Sequence, residues 1–266
     1  MTKKETTKEE RDPKGFQNKI DIPASEEHAT KITPRSVYIK TKMKQQTPAK
    51  IVIAKHIAEK YVKDFDAVLL DAGSTAELIA EELFIQRKYL SVMTNNMGAF
   101  ASYTRAIAPP EKGDSPSSTA SGYLNENELL LPGGRYDATY EALFGDATID
   151  AMQKFTPNVT IIGVSGLIFN EGVFCHGSEE VRIKRLIWTQ PTDIRVIAAD
   201  CTKIGKRDAY AFVPRVDELS IGARKAVVVT NNPLRSTPSS ERKEFDEQVK
   251  KIKDAGIIVD ILNVPE

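Results

Sequence analysis

The sequence predicts an α/β fold, in which a mostly parallel sheet is covered by helices on both faces. Short apolar segments such as residues 67–70, 158–163 and 225–230 do not alternate with polar residues, as expected for strands buried on both faces. Segments with helical periodicity separate them, and parallel strands need such crossovers. The alternation of the two patterns along the chain therefore indicates a layered α/β domain.

The N-terminal residues differ in composition from the rest. Residues 1–47 are rich in Lys, Glu and Thr and contain few large apolar side chains, so we predict a disordered polar tail there. Four lysines and no acid lie between residues 40 and 50, a pattern that fits a solvated tail or a contact with a phosphate-bearing partner. Residues 48–266 are predicted to form one domain.

The first half of that domain reads as alternating helices and strands. A helix is predicted at residues 50–63, because its apolar residues fall on one side, and further helices at 75–83 and 97–106. Strands are predicted at residues 67–71 and 88–94. Residues 108–127 hold three prolines and a Ser/Gly cluster, so we expect a surface loop insertion there.

The second half continues the pattern. Strands are predicted at residues 128–131, 158–163, 195–200, 225–230 and 257–262, and helices at 140–155, 178–190 and 239–255. Ser178 followed by two glutamates is typical of a helix start, because negative charge is favoured at the N-terminus of a helix. Trp188 lies among apolar residues of that helix and is expected in the core or in a subunit interface.

Composition narrows the possible function. The formal net charge of the 266 residues is zero, so no overall basic field indicates nucleic-acid binding. Two cysteines cannot form a disulfide framework, and no N-terminal signal segment is evident. No apolar run approaches the roughly 18 residues that span a bilayer. We therefore expect a soluble cytoplasmic protein without a membrane association.

Small or polar clusters follow five of the predicted strands. Because ligands of parallel α/β sheets bind outside the carboxyl ends of the strands, these clusters predict a site for a polar ligand at one edge. The five clusters are Asp71-Ala72-Gly73-Ser74-Thr75, Thr94-Asn95-Asn96, Pro132-Gly133-Gly134, Gly163-Val164-Ser165-Gly166 and Asp200-Cys201-Thr202-Lys203.

The first cluster has the features of an anion site. It joins a strand to a helix, and the free N–H groups of a helix's first turn carry partial positive charge. Gly73 lets a ligand approach the backbone, and Ser74 and Thr75 add hydroxyl groups. The same residues also fit an ordinary helix cap.

Six motifs in this order resemble the C-terminal effector-sensing domain of DeoR-type transcriptional regulators, over about residues 51–229. That domain is related to the Rossmann-like folds of ribose-5-phosphate isomerase and CoA-transferases. The motifs are Asp71/Gly73/Thr75, Thr94-Asn95-Asn96, Gly133-Gly134, Gly163/Gly166, Glu179-Glu180 with Lys184-Arg185, and Asp200/Lys203.

The resemblance implies a regulatory, non-catalytic domain that binds a phosphorylated sugar or a similar metabolite. It implies that Gly73, Ser74 and Thr75 hold the phosphate and that Lys184 and Lys203 supply charge. The full set of expected ligand-binding residues is Asp71, Gly73, Ser74, Thr75, Thr94, Asn95, Asn96, Gly133, Gly134, Gly163, Gly166, Lys184, Asp200 and Lys203.

Structural alternatives exist for several of these residues. Glu180 and Lys184 are four apart and fit an exposed helix pair, and Asp200 can simply pair with Lys203. Thr94-Asn95-Asn96 fits a helix cap, and Gly133-Gly134 fits a tight turn.

The chain departs from the related families in two respects. Residues 1–50 show no helix-turn-helix pattern, so we do not expect direct DNA binding; the sensor is expected to act through a partner or as a homo-oligomer. The related isomerases place carboxylates where this chain has Gly163-Val164-Ser165-Gly166, and isomerisation needs a general base. Binding is therefore preferred over catalysis, with a phosphosugar isomerase as the alternative.

No cofactor or metal is expected. The sequence contains no glycine-rich loop of the nucleotide-binding or dinucleotide-binding type. Cys175-His176 and Cys201 lack a second pair at zinc spacing. Cys175 and His176 are adjacent in a predicted extended segment and so point to opposite faces, which does not favour an activated thiol.

Overall fold

The computed structural model describes residues 37–107 and 126–265. The helices in this part of the chain are α1 (Val37–Lys44), α2 (Thr47–Tyr61), α3 (Ser74–Gln86), α4 (Met97–Ile107), α5 (Asp146–Gln153), α6 (Ser178–Thr189) and α7 (Ser239–Asp254). The strands are β1 (Ala67–Leu70), β2 (Ser91–Thr94), β3 (Glu128–Leu130), β4 (Arg135–Asp137), β5 (Ala142–Phe144), β6 (Val159–Gly163), β7 (Gly166–Ile168), β8 (Gly172–Cys175), β9 (Thr192–Ala198), β10 (Tyr210–Val213), β11 (Ala223–Asn231) and β12 (Ile258–Leu262).

Seven strands form the central sheet, in the order β12-β11-β9-β6-β1-β2-β3. Every neighbouring pair in this sheet is parallel. The other strands form two small antiparallel sheets, β10-β8-β7 and β4-β5. The predicted α/β class with a mostly parallel sheet is therefore confirmed.

Helices cover both faces of the central sheet, as predicted. In β1, Leu69 belongs to one core cluster, while Val68 and Leu70 belong to the other, because successive side chains of a strand point to opposite faces. The Leu69 cluster includes residues of α5, α6 and α7, and the Val68 cluster includes residues of α2 and α3. Trp188 is 3% exposed and belongs to the Leu69 cluster, so its predicted core position is correct.

The parallel arrangement places the five sequence clusters at one edge. The strands that precede the clusters are five consecutive neighbours of the central sheet, in the order β9-β6-β1-β2-β3. Their carboxyl ends therefore lie side by side, which is the position at which parallel sheets bind ligands.

The prediction of a disordered tail up to residue 47 is wrong for residues 37–47. Residues 37–44 form α1, and α2 begins at Thr47. The lysines of α1 give it the composition of a solvated tail, so the sequence does not indicate a helix there. Contacts with distant residues stabilise the helix, since Ile39 is 4% exposed and Tyr38 stacks on His176. Residues 1–36, where the rest of the predicted tail lies, are outside the described residues.

The helix predicted at residues 140–155 is also partly wrong. Residues 142–144 form β5, and α5 begins only at Asp146. The cause is Gly145, whose φ of 110° is accessible to glycine but interrupts a right-handed helix. The predicted loop insertion at residues 108–127 lies outside the described residues except for its last two positions.

Candidate functional site

A cavity of about 790 Å³, part of which is open to solvent, lies at the carboxyl edge of the sheet. Eight of the residues that we expected to bind a ligand line it: Asp71, Gly73, Ser74, Thr75, Asn95, Gly163, Lys184 and Lys203. The lining is completed by Tyr38, Ile39, Lys42, Lys50, Ala72, Ala76, Tyr140, Phe144, Val164, Ser165, His176, Glu180 and Ile183. The sheet edge, α1, α2, α3 and α6 thus all contribute to one site.

The N-terminus of α3 faces the cavity without a side-chain cap. Gly73 is the N-cap residue, with φ 128° and ψ 169°, and no side chain accepts a hydrogen bond from this terminus. A Cβ atom at Gly73 would find no protein atom within 4 Å. The first-turn N–H groups therefore stand next to open space, in the arrangement that binds anions at helix N-termini.

Lys50 brings a buried positive charge to the same place. It is 3% exposed, and its Nζ donates hydrogen bonds to Ser74 Oγ at 2.9 Å and to the carbonyl oxygen of Lys42. Burial lowers its pKa to about 8; Asp200 opposes this, and Lys203 and Lys42 lower it further. A buried ammonium without a carboxylate in hydrogen-bond contact, beside the positive end of a helix, is a site that a bound anion would stabilise.

Two further lysines point toward this region. Lys203 lies in a short 3-10 helix after β9, and its Nζ is 4.0 Å from the Asp200 carboxylate, which is a loose ion pair. Burial and the charge of Lys203 lower the pKa of Lys42. We call Lys42, Lys50, Lys203 and the N-terminus of α3 the anion subsite.

Lys184 has a different environment from these three lysines. Its Nζ is bonded to Asp71 Oδ2 and to the carbonyl oxygen of Gly163, the latter at 2.8 Å, and it is 3.6 Å from Glu180 Oε1. Burial lowers its pKa, but Asp71 and Glu180 outweigh burial and raise the pKa above the ordinary value. Its charge is thus compensated within the protein, and it ties α6 to the ends of β1 and β6.

Asn95 lines the cavity and has an unpaired acceptor. Its Nδ2 donates to the carbonyl oxygen of Leu143 at 3.1 Å, whereas its buried Oδ1 has no hydrogen-bond partner. The residue is 1% exposed. Because a buried, unsatisfied acceptor is costly, this oxygen favours a ligand that carries a hydrogen-bond donor such as a hydroxyl group.

Aromatic rings form one wall of the cavity. The Tyr38 ring stacks on the His176 ring at 4.4 Å and meets Tyr140 edge-on at 5.6 Å, and Tyr140 in turn meets Phe144 at 5.6 Å. Burial raises the pKa of Tyr140 to about 12, with Glu180 and Asp137 adding to the effect. At neutral pH this wall therefore presents apolar ring surface and neutral hydroxyl groups.

Known proteins resemble this chain in sequence. Residues 118–220 match the family model described as the DeoR C terminal sensor domain. Over this segment the chain is similar to a DeoR-type sensor domain. The resemblance expected from the motifs is therefore confirmed.

Curated transcriptional regulators are also similar to this chain. The glycerol-3-phosphate regulon repressor of Escherichia coli is 24% identical over 161 residues, covering 60% of this chain and 56% of that protein. The HTH-type transcriptional regulator IolR of Bacillus subtilis is 23% identical over 179 residues, covering 67% of this chain and 61% of that protein. The chain thus spans somewhat more than half the length of these regulators.

Solved structures show weaker similarity to this chain. A probable sor operon regulator from Shigella flexneri has a TM-score of 0.35 at 9% identity, covering 83% of this chain and 85% of that chain. Ribose 5-phosphate isomerase from Plasmodium falciparum has a TM-score of 0.35 at 12% identity, covering 58% of this chain and 52% of that chain. The fold is assigned from the strand order of the sheet.

Six predicted residues of the DeoR-type domain do not line the cavity. Their contacts lie within the protein and support the turns around the site. Thr94 Oγ1 accepts from Asn96 N, Asn96 Nδ2 donates to the carbonyl oxygen of Gly73, and Asp200 accepts from Thr202. The carbonyl oxygen of Gly133 accepts from Thr148 Oγ1, Gly134 takes a φ of 135°, and Gly166 packs against the Lys206 backbone.

Sequence reasoning missed several residues that line the cavity of this domain. Tyr38 and Lys42 were assigned to the tail, and Lys50 to an ordinary helix. The cluster of lysines between residues 40 and 50 was the available signal, since two of its members reach the site. His176 carried no signal, because its ring is placed only by the β8–α6 turn.

Two further findings concern the described ranges. No group of His, Cys, Asp and Glu in residues 37–107 and 126–265 is arranged to hold a metal ion. No helix in the same part of the chain is long and apolar enough to cross a membrane.

Proposed function

We propose that this DeoR-type sensor domain binds a phosphorylated sugar as its effector, without catalysing a reaction on it. The observation that carries the proposal is the anion subsite, where an uncapped helix N-terminus, the buried Lys50 and Lys203 converge on open space. A phosphate dianion would accept hydrogen bonds from the helix N–H groups and compensate the lysine charges.

The rest of the cavity fits a polyhydroxylated ligand. Asn95 Oδ1 is available for a hydroxyl donor, and the rings of Tyr38 and Tyr140 supply surface for the apolar faces of a sugar. One protein that is similar to this chain is named the glycerol-3-phosphate regulon repressor, and glycerol 3-phosphate is a phosphorylated polyol. This agreement supports a phosphorylated ligand class.

The carboxylates of the cavity favour binding over isomerisation. Asp71 is bonded to Lys184 and to the backbone N–H of Gly163, and Glu180 Oε2 accepts from Gly177 N at 2.8 Å. A general base must be placed within reach of the proton that it removes. Both groups are instead used to hold the turns together. We expect no deuterium to enter a bound sugar phosphate from heavy water; rapid exchange would establish the isomerase alternative.

The regulatory output is proposed to pass through a partner or through homo-oligomer formation in the cytoplasm. Relatives named as repressors and transcriptional regulators support a regulatory role.

A thermal-shift screen tests the proposed effector class. The full chain is screened with phosphorylated sugars and polyols, each beside its unphosphorylated form at the same concentration. A ligand present at about a hundred times its Kd adds roughly 2.7 kcal/mol to the free energy of unfolding, which raises Tm by several degrees. Stabilisation by a phosphorylated compound alone is expected. A flat screen on folded protein contradicts the proposal.

A further inference from the structure

α1 is a short helix that lines the anion subsite. It has eight residues, and isolated helices of this length are unstable in water. Its helical state therefore depends on what it touches in the rest of the domain. Tyr38, Ile39 and Lys42 of this helix all line the cavity, so the contacts that hold α1 are contacts with the site.

Two kinds of contact hold α1 in place. The Tyr38 ring stacks on His176 and touches Tyr140, and Ile39 is buried. At the other end of the helix, the Lys50 ammonium donates to the carbonyl oxygen of Lys42, near the C-terminus of α1. A positive charge there is favourable, because the C-terminus of a helix carries partial negative charge.

One interaction opposes the docked position. In this position Lys42, Lys50 and Lys203 line one cavity. Burial and the charge of Lys203 lower the pKa of both Lys42 and Lys50. Asp200, Asp208 and Glu180 offset part of the repulsion among these three like charges, and an anion between the lysines would offset more of it. The docked helix is thus favoured by its ring contacts and opposed by its charge.

We propose that α1 is a lid that closes when a phosphate dianion occupies the anion subsite. This inference rests on the proposed function and adds its regulation. A dianion compensates the repulsion among the three lysines, so it stabilises the docked helix, and by reciprocity the docked helix strengthens anion binding. α1 is then ordered when the site is occupied and less ordered when it is empty. A partner protein can distinguish these two states by binding one of them.

Hydrogen–deuterium exchange on the full chain tests the lid, with inorganic phosphate as the probe. Exchange is compared in saturating phosphate and in chloride at equal ionic strength, while ³¹P line broadening reports binding independently. The amides of residues 41–44, whose N–H groups donate within the helix, are expected to exchange about tenfold more slowly in phosphate, within the roughly 5- to 150-fold range of allosteric couplings. The amides of α7, which packs elsewhere, are expected to be unchanged.

Two variants sharpen this test. Lys42→Met removes one repelling charge and keeps Tyr38 and Ile39, so α1 should be protected without phosphate and gain less from it. Lys44→Gln, at an exposed lysine of the same helix, should respond like the wild type. If phosphate broadens the ³¹P line but leaves α1 exchange unchanged, the lid is disproved and the anion site stands. If phosphate does not bind, both proposals fail.

Discussion

Lys50 and Lys184 are both buried at the carboxyl edge of the sheet, but their charges are compensated differently. Lys184 has Asp71 and Glu180 beside it, and these carboxylates raise its pKa. Lys50 is bonded only to a hydroxyl and a carbonyl oxygen, and its pKa falls to about 8. We infer that Lys184 has a structural role and that Lys50 binds the ligand, although both are lysines in one cavity.

Replacing Lys184 by Met is expected to destabilise the fold. The substitution leaves Asp71 as a buried charge without its cation, and breaking such a pair costs about 3–5 kcal/mol. The free energy of unfolding is measured by urea denaturation. The control is Arg182→Met on the same helix, whose exposed pair with Asp146 contributes about 1 kcal/mol or less. Equal stability of the two variants would contradict the structural role of Lys184.

Phosphate affinity is expected to fall as pH rises through about 8, the pKa of Lys50. Above this pH the free protein has lost the Lys50 proton, so binding must take one up, and affinity decreases by up to roughly tenfold for each pH unit. Calorimetry between pH 7 and 9.5 measures this dependence. Lys50→Met should remove the step, whereas Lys55→Met, at an exposed position of α2, should retain it. A step that persists in Lys50→Met would refute the assignment.

The same residue has a consequence for folding. Because the folded pKa of Lys50 lies below its ordinary value of 10.5, the unfolded chain binds more protons between pH 8 and 10.5. Lys50 therefore makes the free energy of unfolding rise with pH over that window, and an anion at the site reduces this effect.

The β1–α3 turn shows how one element both forms the site and constrains its sequence. Gly73 takes φ 128° and ψ 169°, a region that only glycine adopts without strain, and its carbonyl oxygen accepts from Asn96. This conformation leaves the N-terminus of α3 open to the cavity. Asn96, which follows the neighbouring strand β2, thus stabilises the β1–α3 turn through its side chain.

Gly73→Ala is expected to lower the free energy of unfolding by about 1–3 kcal/mol, because the new Cβ forces a strained backbone conformation. It should also weaken phosphate binding, since the methyl group would enter the open side of the turn. Denaturation and calorimetry measure the two effects. Gly163→Ala is the matched control for stability, because its Cβ would meet its nearest neighbours at an ordinary 3.9 Å. A Gly73→Ala variant that is as stable as the wild type and binds phosphate with the same affinity would contradict the anion-binding role of the β1–α3 turn.

Elements whose pattern is local were predictable, and those that depend on distant contacts were not. The strands 67–70 and 158–163 and the helix from Ser178 carry their own apolar pattern, and the structure contains all three. α1 lacks such a pattern and depends on rings from the β4–β5 and β8–α6 turns. Half of the anion subsite was missed for this reason, since Lys42 lies on α1 and Lys50 donates to it.

At the scale of the whole molecule, the parallel sheet creates the site. Because its strands are parallel, turns that are far apart in the chain meet at one edge. The sequence could predict that Gly73, Asn95 and Lys203 would share this edge. It could not predict that Lys184 is engaged by Asp71, since such a pair is visible only once α6 is packed against the sheet.

The central claim is that this edge recognises a phosphate group through the lysines of the anion subsite and the N-terminus of α3. Calorimetry at pH 7 tests it with the best phosphorylated compound of the thermal screen, its unphosphorylated form, and two variants. The account predicts binding of the phosphorylated form only, and a loss of about 1.5–3 kcal/mol in Lys203→Ala, the value of a charge-assisted hydrogen bond. Lys206→Ala, at an exposed lysine nearby, should bind like the wild type. Equal binding of both compounds, or a Kd unchanged in Lys203→Ala, would contradict the claim.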